Sequence, residues 1–392
     1  MFTINQINRF ILSGYSSEYR ALDILPLDLA CLSDSGDINY SNCVISLDDC
    51  RHWQIKTRVG IFCLRRWGAG FPDISRLQFI QATLWHAECE GIDFIPLPIE
   101  TKEHRGFIIF DGSYWELLPW INGVEEPPPI RTIGLDDDEV TAGIKIKCEC
   151  ECECDEVTAI QPFRIVAAMT SLAQFHEAVS TFPIPDLPNG YSNCVNRMLT
   201  RWQSWANGGF NELYNGIRER WNGELGDVVI KFAETGLRFQ NNAVTYSGQI
   251  LAALWRASRF IVRIQPIIGN CCLRHLRFDN SGVCGMIDFK KIAIDSIIID
   301  TAALLGSMAN PETEGWKLGL RAYQRIRKLD DYEIFMLKFL YHSIILLEGL
   351  EYLSDYFLLH KSMNEYQIDK ITNRLEYWNI RMDTENYNRN SA

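Results

Sequence analysis

The spacing of the apolar residues changes partway along this chain, and that change limits the folds that the chain can adopt. Before residue 120, apolar side chains alternate or cluster in short runs between polar turns, which predicts antiparallel strands. The first such runs are residues 22–32, 42–47 and 58–67. From about Phe163 the apolar residues follow the helical period, and helical segments dominate the rest of the chain. The sequence therefore predicts a β-rich part followed by a mainly helical part.

The β-rich part contains signals for one helix and one tight hairpin. Asp73 or Ser75 can cap a helix that runs to Glu90, because short polar side chains accept hydrogen bonds from the first free N–H groups of a helix. Three short stretches, FIPLPI, GFIIF and YWELLPW, then predict further strands. The Asp111-Gly112 pair between the last two favours a two-residue hairpin turn. We expect a sheet with one covering helix.

A second hairpin is predicted inside the helical part. The stretch LRFDNSGVCGMIDF, residues 276–289, contains two short β-like runs around Asn280-Ser281-Gly282, and it ends by presenting Asp288. Helical segments lie on both sides of this stretch. A hairpin embedded among helices and ending on a carboxylate is a candidate for the functional site.

Charge and composition exclude several partners. The net charge of -12 comes mostly from residues 134–157, whose nine acids and two lysines give -7. The chain contains no basic run, so binding to nucleic acid or to an anionic membrane is not expected. The amino-terminal residues lack the basic and apolar regions of a secretion signal, and no apolar run approaches the roughly 18 residues of a membrane helix. We expect a cytoplasmic protein.

The acidic segment contains an alternating Cys-Glu tract between two copies of DEVTA. Alternate side chains of a strand lie about 6.6 to 6.8 Å apart, whereas thiolates that share a zinc ion lie within about 4 Å of each other. The tract would therefore have to fold back to bind a soft metal, and a solvated acidic loop is the alternative. Its thiols belong to Cys148, Cys150, Cys152 and Cys154.

The order of these parts resembles the aminoglycoside phosphotransferase and choline kinase family, which has a protein-kinase-like fold. The resemblance covers residues 57–380 apart from the acidic segment, and its most specific part is CGMIDFKKIAIDSIIIDTAALLG, residues 284–306. It implies an α+β, two-lobed fold. The implied parts are an antiparallel, nucleotide-binding β lobe with one helix at residues 1–121, a hinge exit and acidic insertion at 122–160, and a helical lobe that includes the catalytic-loop hairpin at 161–385.

The resemblance also implies roles for individual residues. Asp288 matches the aspartate that binds magnesium, Asp300 matches a buried aspartate that braces the catalytic loop, and Arg65 in FCLRRW matches the cation that contacts nucleotide phosphates. The other implied nucleotide contacts are Gly36 in the loop that covers the phosphates, and Leu118 and Trp120 at the adenine-binding hinge. The implied cofactors are ATP and Mg²⁺, with Mn²⁺ as an alternative metal.

The loop before the hairpin departs from the family's pattern. That pattern is His-Gly-Asp, four further residues and Asn, with the Asn thirteen residues before the magnesium-binding Asp. Counting back from Asp288 puts His275 at the second metal position and Asn270 at the position of the catalytic base, with Ile268 at the leading His. A neutral imidazole can bind a divalent cation. An amide cannot take the proton of the attacking hydroxyl, and a positioned base is typically worth about 10² to 10⁴ in rate.

Two supporting parts are incomplete in the sequence. Gly36 is the only glycine of the stretch LSDSGDINYSN, so few backbone amides can approach a phosphate closely. The helix after Asp73 has no Glu where a partner for Arg65 is expected, and Gln78 and Gln81 are the nearest polar candidates. Four of the implied site residues also have a structural alternative: a strand-end acceptor for Asp288, a solvated cation for Arg65, and loop hydrogen-bonding groups for His275 and Asn270.

Three functions are compatible with the sequence. The first is ATP-dependent phosphoryl transfer to a small-molecule hydroxyl, weakened by Asn270. The second is a catalytically inactive, nucleotide-binding pseudokinase or scaffold, and the third is a protein-interaction module that uses the Cys-Glu tract. Glu348, Glu351 and Asp355 share one helix face where the resemblance puts the acceptor pocket. That stripe fits either a cationic acceptor or a solvated acidic face.

Overall fold

The computed structural model describes residues 3–27, 52–68, 73–123, 162–184, 189–221, 226–311 and 313–390. The chain forms two compact units. The first comprises Met1–Thr132 and Arg274–Lys290, and the second comprises Ile133–Leu273 and Lys291–Ala392. The predicted strand at residues 42–47, the predicted phosphate contact at Gly36 and the Cys-Glu tract lie outside the described residues.

The first unit is built on a five-stranded antiparallel sheet with the order β1-β2-β3-β5-β4. Its strands are β1 Asp23–Leu27, β2 His52–Lys56, β3 Ile61–Arg66, β4 Ile108–Phe110 and β5 Ser113–Pro119. Its helices are α1 Ile4–Gln6, which continues through π and 3-10 turns to Gly14, a 3-10 turn Ser17–Tyr19, and α2 Ile74–Cys89. The predicted sheet with one long helix is confirmed.

Local turn chemistry explains where these elements start and end. The Asp73 carboxylate accepts a hydrogen bond from the Arg76 N–H at 3.1 Å, so Asp73 caps α2 as predicted. Asp111 and Gly112 have positive φ angles of 50° and 64°, and they join Phe110 to Ser113 in the register of a two-residue hairpin. Both turn predictions are confirmed.

The alternation of apolar residues along the strands generates the core of the first unit. Trp53, Leu64 and Trp115 come from three adjacent strands and are fully buried, and the rings of Trp53 and Trp115 stack at 5.2 Å. Ile7 and Ile11 of the amino-terminal turns pack in the same cluster. Burial of these side chains is the main source of stability for a sheet of this size.

Three features of the first unit differ from the sequence-based prediction. The amino-terminal helical turns and strand β2 were not predicted. The predicted strand FIPLPI, residues 94–99, is irregular backbone. Its two prolines, Pro96 and Pro98, lack the N–H groups that a sheet ladder requires, so β-like composition alone does not make it a strand.

The second unit is mainly helical. Its helices are α3 Pro162–Ala178, α4 Asn193–Ser204, α5 Phe210–Trp221, α6 Asp227–Ala257, α7 Ile298–Met308, α8 Glu314–Gln324, α9 Asp331–Phe357 and α10 Glu365–Asn390. Short antiparallel pairs join β6 Asn189–Gly190 to β7 Val262–Arg263, and β8 Gln265–Ile267 to β11 Ala293–Asp295. None of the described helices combines the length and hydropathy needed to cross a bilayer. An antiparallel β unit and a helical unit together confirm the predicted α+β class.

The predicted second hairpin forms from β9 Leu276–Asp279 and β10 Gly282–Met286, and it groups with the first unit. The Met286 N–H donates to the Phe94 carbonyl at 2.7 Å. A side chain at Gly285 would collide with Ile121, so the hairpin packs closely on the end of the sheet only because this residue is glycine. The sequence-based boundaries assign this hairpin to residues 161–385, and those lobe boundaries stay a prediction.

The core of the first unit makes a testable prediction for stability. We expect Leu64→Ala to lower the free energy of unfolding by about 2 to 5 kcal/mol, because it removes a fully buried side chain from the centre of the sheet. Ile61→Ala on the same strand is the control, since Ile61 is 44% exposed, and we expect less than about 1 kcal/mol there. Equilibrium denaturation followed by circular dichroism measures both. Equal losses in the two variants would contradict the assigned register of β3.

Candidate functional site

Arg65, the predicted phosphate contact, is fixed by a buried carboxylate from the neighbouring strand. Arg65 lies on β3 opposite Glu116 on β5. The Arg65 Nε and Nη2 atoms donate to Glu116 Oε2 at 3.0 and 2.5 Å, and the guanidinium lies 4.1 Å from the centre of the Trp67 ring. Glu116 is fully buried, and the Arg65 side chain is 12% exposed. The contact therefore positions a cation at the end of the sheet with little freedom to move.

Glu116 is satisfied by four donors. In addition to the two from Arg65, Trp67 Nε1 donates to Oε2 at 2.6 Å, and Gln81 Nε2 from α2 donates to Oε1 at 2.5 Å. Burying a carboxylate is unfavourable unless it is paired and hydrogen-bonded, and this network supplies both conditions. The network joins two strands to the helix that covers the sheet.

The partner of Arg65 corrects the expectation from the sequence. A glutamate was expected on the helix after Asp73, and its absence made Arg65 look poorly held. The structure supplies the carboxylate from strand β5 instead, and Gln81 of the helix binds the same carboxylate. Glu116 was missed as a functional residue. In the sequence, Glu116 could have been recognised as the single charged residue of the apolar strand YWELLPW. A charged residue in such a strand is almost never fully buried unless it is paired.

Asp288, the predicted metal ligand, follows β10 in a strained conformation. Its φ angle is 66°, in the left-handed region that costs an ordinary residue about 1 to 2 kcal/mol. The 3-10 turn Phe289–Lys291 follows directly. Asp288 Oδ2 lies 3.4 Å from His275 Nε2 and 3.1 Å from Lys290 Nζ, and the Asp288 side chain is 20% exposed. Strain that the surroundings maintain at a partly exposed carboxylate is typical of functional sites.

The surroundings of Asp288 favour its ionised form. Burial alone raises the pKa of its carboxyl, but the positive charges of Lys290, His275 and Arg65 outweigh burial and hold the pKa below its ordinary value. Asp288 is therefore ionised at neutral pH. Because Arg65 is among the charges that act on it, the first unit brings together three residues that the sequence singled out separately.

These residues fit a divalent metal poorly. His275 and Asp288 are the two predicted ligands, and His275 Nε2 lies 3.4 Å from Asp288 Oδ2. In the part of the chain that the structure describes, no group of three or more His, Cys, Asp or Glu side chains could hold an ion. Mg²⁺ can bind through only one or two carboxylates when phosphates complete its shell, so the small number of ligands does not decide the matter. The Lys290 ammonium, 3.1 Å from Asp288 Oδ2, reduces the negative charge that this carboxylate offers to an ion.

Asn270, which the resemblance puts at the position of the catalytic base, belongs to the second unit. Hydrogen bonds to a buried aspartate fix the backbone just before it. The Asp300 carboxylate accepts the Ile268 N–H at 2.6 Å and the Gly269 N–H at 2.8 Å. Gly269 has a φ of 73°, and a side chain there would lie 2.5 Å from the Lys291 carbonyl, so only glycine fits. Asn270 itself is partly exposed. Its backbone is thus fixed by its neighbours, as the resemblance implied for Asp300.

His176 completes the support of this segment. It is fully buried on α3, and its Nε2 lies 3.3 Å from Asp300 Oδ2, while its Nδ1 lies 2.7 Å from the Tyr323 hydroxyl. The Gln265 side chain donates to the His176 carbonyl at 2.6 Å. These contacts give His176 a structural role.

The two predicted hinge residues occupy different environments. Leu118 is buried in β5 opposite Cys63. Trp120 follows the strand, is partly exposed, and donates its N–H to the Ile61 carbonyl at 3.3 Å. Adenine contacts at Leu118 and Trp120 stay a prediction.

The acidic stripe on α9 is neutralised by cations of the same unit. Glu348 pairs with Arg374 at 3.0 Å, Glu351 with Arg201 at 3.3 Å, and Asp355 with Lys361 at 2.8 Å. The Glu348 carboxylate also accepts a hydrogen bond from the Tyr352 hydroxyl at 2.7 Å. The stripe therefore provides no argument for a cationic acceptor.

The Glu116 network makes a prediction for stability. We expect Glu116→Ala to lower the free energy of unfolding by about 3 to 5 kcal/mol, because it leaves the Arg65 cation and two further donors without their buried acceptor. Glu314→Gln, in an exposed pair with Lys317, is the control and should leave stability unchanged. Chemical denaturation measures both variants. A loss no larger than that of the control would show that the Glu116 pair does not hold the sheet.

The charges around Asp288 predict a pH dependence. A carboxyl whose pKa is lower in the folded state contributes stability above its unfolded pKa, near 3.9, and loses it as the pH falls through the folded pKa. We therefore expect the stability advantage of the wild type over Asp288→Asn to shrink as the pH falls below about 5. Thermal denaturation of both proteins across this range tests it. A difference that grows as the pH falls would contradict the assigned pairing.

Comparison with known proteins supports the fold through structure rather than sequence. No protein-family model and no curated protein matches the chain. An aminoglycoside phosphotransferase from Alicyclobacillus acidocaldarius superposes with a TM-score of 0.53 at 12% identity, over 96% of this chain and 95% of that one. A spectinomycin phosphotransferase superposes with a TM-score of 0.50 at 10% identity, over 84% of this chain and 89% of that one.

A choline kinase from Cryptosporidium parvum covers 86% of this chain and 87% of its own at 10% identity, with a TM-score of 0.47. Identities this low establish the fold and leave the activity open. The resemblance predicted from the Ile-Asp-Phe hairpin is confirmed at that level: the chain has the protein-kinase-like fold of the aminoglycoside phosphotransferases.

Proposed function

We propose that this chain binds a nucleoside triphosphate, with ATP as the expected nucleotide, and that it transfers a phosphoryl group to a small-molecule hydroxyl slowly or not at all. The observation that carries the proposal is the Arg65 guanidinium, which a fully buried carboxylate fixes and whose charge acts on Asp288 in the same unit. A fixed cation suits phosphate recognition, because its charge and its direction are set before the ligand arrives.

The hydrogen-bonding capacity of Arg65 supports this role. A guanidinium has five N–H donors, and Glu116 uses two of them. The remaining donors suit phosphate oxygens, for which the planar fork of arginine is well shaped. The spectinomycin phosphotransferase with the same fold was solved with ADP and spectinomycin, which supports a nucleotide and a small-molecule acceptor for this chain as well. The class of acceptor and a cytoplasmic location stay predictions.

Asn270 is the reason to expect slow transfer. In kinases the residue at this position orients the attacking hydroxyl and accepts its proton, and an amide can orient the hydroxyl but cannot accept the proton. Transfer through a loose transition state depends mainly on positioning and charge. A residual rate is therefore compatible with Asn270.

A nucleotide-binding pseudokinase is the second candidate function. Two observations favour it over a weak enzyme: the amide at Asn270, and the Lys290 ammonium against the Asp288 carboxylate. A pseudokinase of this kind would bind the nucleotide and act as a nucleotide sensor or a scaffold, without transferring a phosphoryl group.

One pair of measurements separates these functions. We expect ATP to raise the thermal midpoint of the wild type, because a ligand that binds only the folded state stabilises it. We expect Asn270→Asp to raise ADP formation, measured with a panel of hydroxyl compounds, by up to about 10² to 10⁴ over the wild type. Asn280→Asp, the same chemical change in the exposed turn of the β9–β10 hairpin, is the matched control and should change neither quantity.

The outcomes are distinct. ATP stabilisation with a rate that rises only in Asn270→Asp supports impaired phosphoryl transfer. ATP stabilisation without turnover in either protein supports the pseudokinase. The absence of any effect of ATP on wild type and variant would remove both functions.

A further inference from the structure

The carboxylate that a kinase would offer to a metal already has a cation of this chain beside it. Lys290 follows Asp288 by two residues, on the 3-10 turn Phe289–Lys291. Its Nζ lies 3.1 Å from Asp288 Oδ2, the same oxygen that lies 3.4 Å from His275 Nε2. The left-handed conformation of Asp288 turns the chain sharply at this point, and Lys290 lies on the turn that follows. The pair is thus a product of local chain geometry.

An ammonium and a divalent metal compete for this oxygen. Both need to lie within a few ångströms of Asp288 Oδ2, and two cations at that separation repel each other. With Lys290 in place, one carboxylate and one imidazole would have to hold the ion against a neighbouring positive charge. Mg²⁺ usually binds through one or two carboxylates and completes its shell with water and substrate phosphates, so a cation on the Asp288 carboxylate weakens the protein's part of such a site.

We propose that the Lys290 ammonium takes the place of a divalent metal on Asp288, so that this chain binds a nucleoside triphosphate without metal and with phosphate oxygens against Lys290. The inference rests on the proposed nucleotide binding and specifies the cation that it uses. A lysine ammonium has three donors, so Lys290 can donate to Asp288 and to a phosphate oxygen together. Its Nζ is accessible for this, since the Lys290 side chain is 50% exposed.

The other groups at this end of the first unit are compatible with metal-free binding. Arg65 and Lys290 are both close enough to Asp288 to act on its charge. Arg65 pairs with Glu116 and Lys290 pairs with Asp288, and each cation has donors beyond those that such a pair uses. A triphosphate brings several negative charges, and Arg65 and Lys290 can donate to its oxygens without a cation from solution.

The test compares ATP binding and metal binding in four full-length proteins. These are the wild type, Lys290→Met, Lys290→Arg and Lys291→Met. Lys291→Met is the matched control, because it removes the same charge from the adjacent exposed lysine. ATP affinity is measured by calorimetry with EDTA and again with Mg²⁺, and Mn²⁺ binding without nucleotide is measured by electron paramagnetic resonance. Circular dichroism confirms that each variant is folded.

The expected pattern is specific to Lys290. The wild type and Lys291→Met should bind ATP in EDTA within about tenfold of their affinity in Mg²⁺. Lys290→Met should lose more than about tenfold in affinity in EDTA, and it should gain Mn²⁺ binding that the wild type lacks. Lys290→Arg should retain metal-free ATP binding, because a guanidinium restores the charge and the donors.

Contrary results separate this inference from the proposed function. ATP binding by the wild type only with Mg²⁺ or Mn²⁺ would overturn the inference and leave nucleotide binding intact. Unchanged ATP affinity of Lys290→Met in EDTA would overturn the role of Lys290 in the same way. If no protein bound ATP under any condition, the proposed function and this inference would both be wrong.

Discussion

The first unit depends on one buried carboxylate. Glu116 lies in the centre of the apolar sheet, where an ionised group is stable only if donors surround it. Arg65 and Trp67 supply three donors from the β3 strand and the residue after it, and Gln81 supplies the fourth from the covering helix. The network fixes the direction of the Arg65 guanidinium and the position of the helix on the sheet. Loss of Glu116 would therefore disturb both the packing of the helix on the sheet and the direction of the Arg65 guanidinium.

A second buried carboxylate has the corresponding role in the helical unit. Asp300 accepts the N–H groups of Ile268 and Gly269 and contacts the His176 ring, so it fixes the backbone just before Asn270. Both carboxylates hold the geometry of neighbouring residues. The backbone just before Asn270 thus has a buried hydrogen-bonding support.

Several parts of the site could be predicted from local sequence alone. The Asp73 cap, the Asp111-Gly112 turn and the hairpin that ends at Asp288 follow from residue types within a few positions, and the structure contains all three. The residues that were missed or misjudged depend on distant neighbours. Glu116 could be recognised as unusual in its strand, but its partners come from separate segments of the chain. The acidic stripe of α9 could be seen as a charged face, but not as a face already paired with basic residues.

The sequence by itself determined the fold class and the order of the β-rich and helical parts, because hydrophobic period is a property of the linear chain. Motif spacing also predicts Asn270 at the position of the catalytic base, on the strength of the resemblance. Tertiary structure alone decided which carboxylate holds Arg65, and it revealed that Lys290 shares an oxygen of Asp288 with His275. Ion pairs form between groups that folding brings within a few ångströms. Such pairs depend on backbone conformation and packing, which residue spacing does not specify.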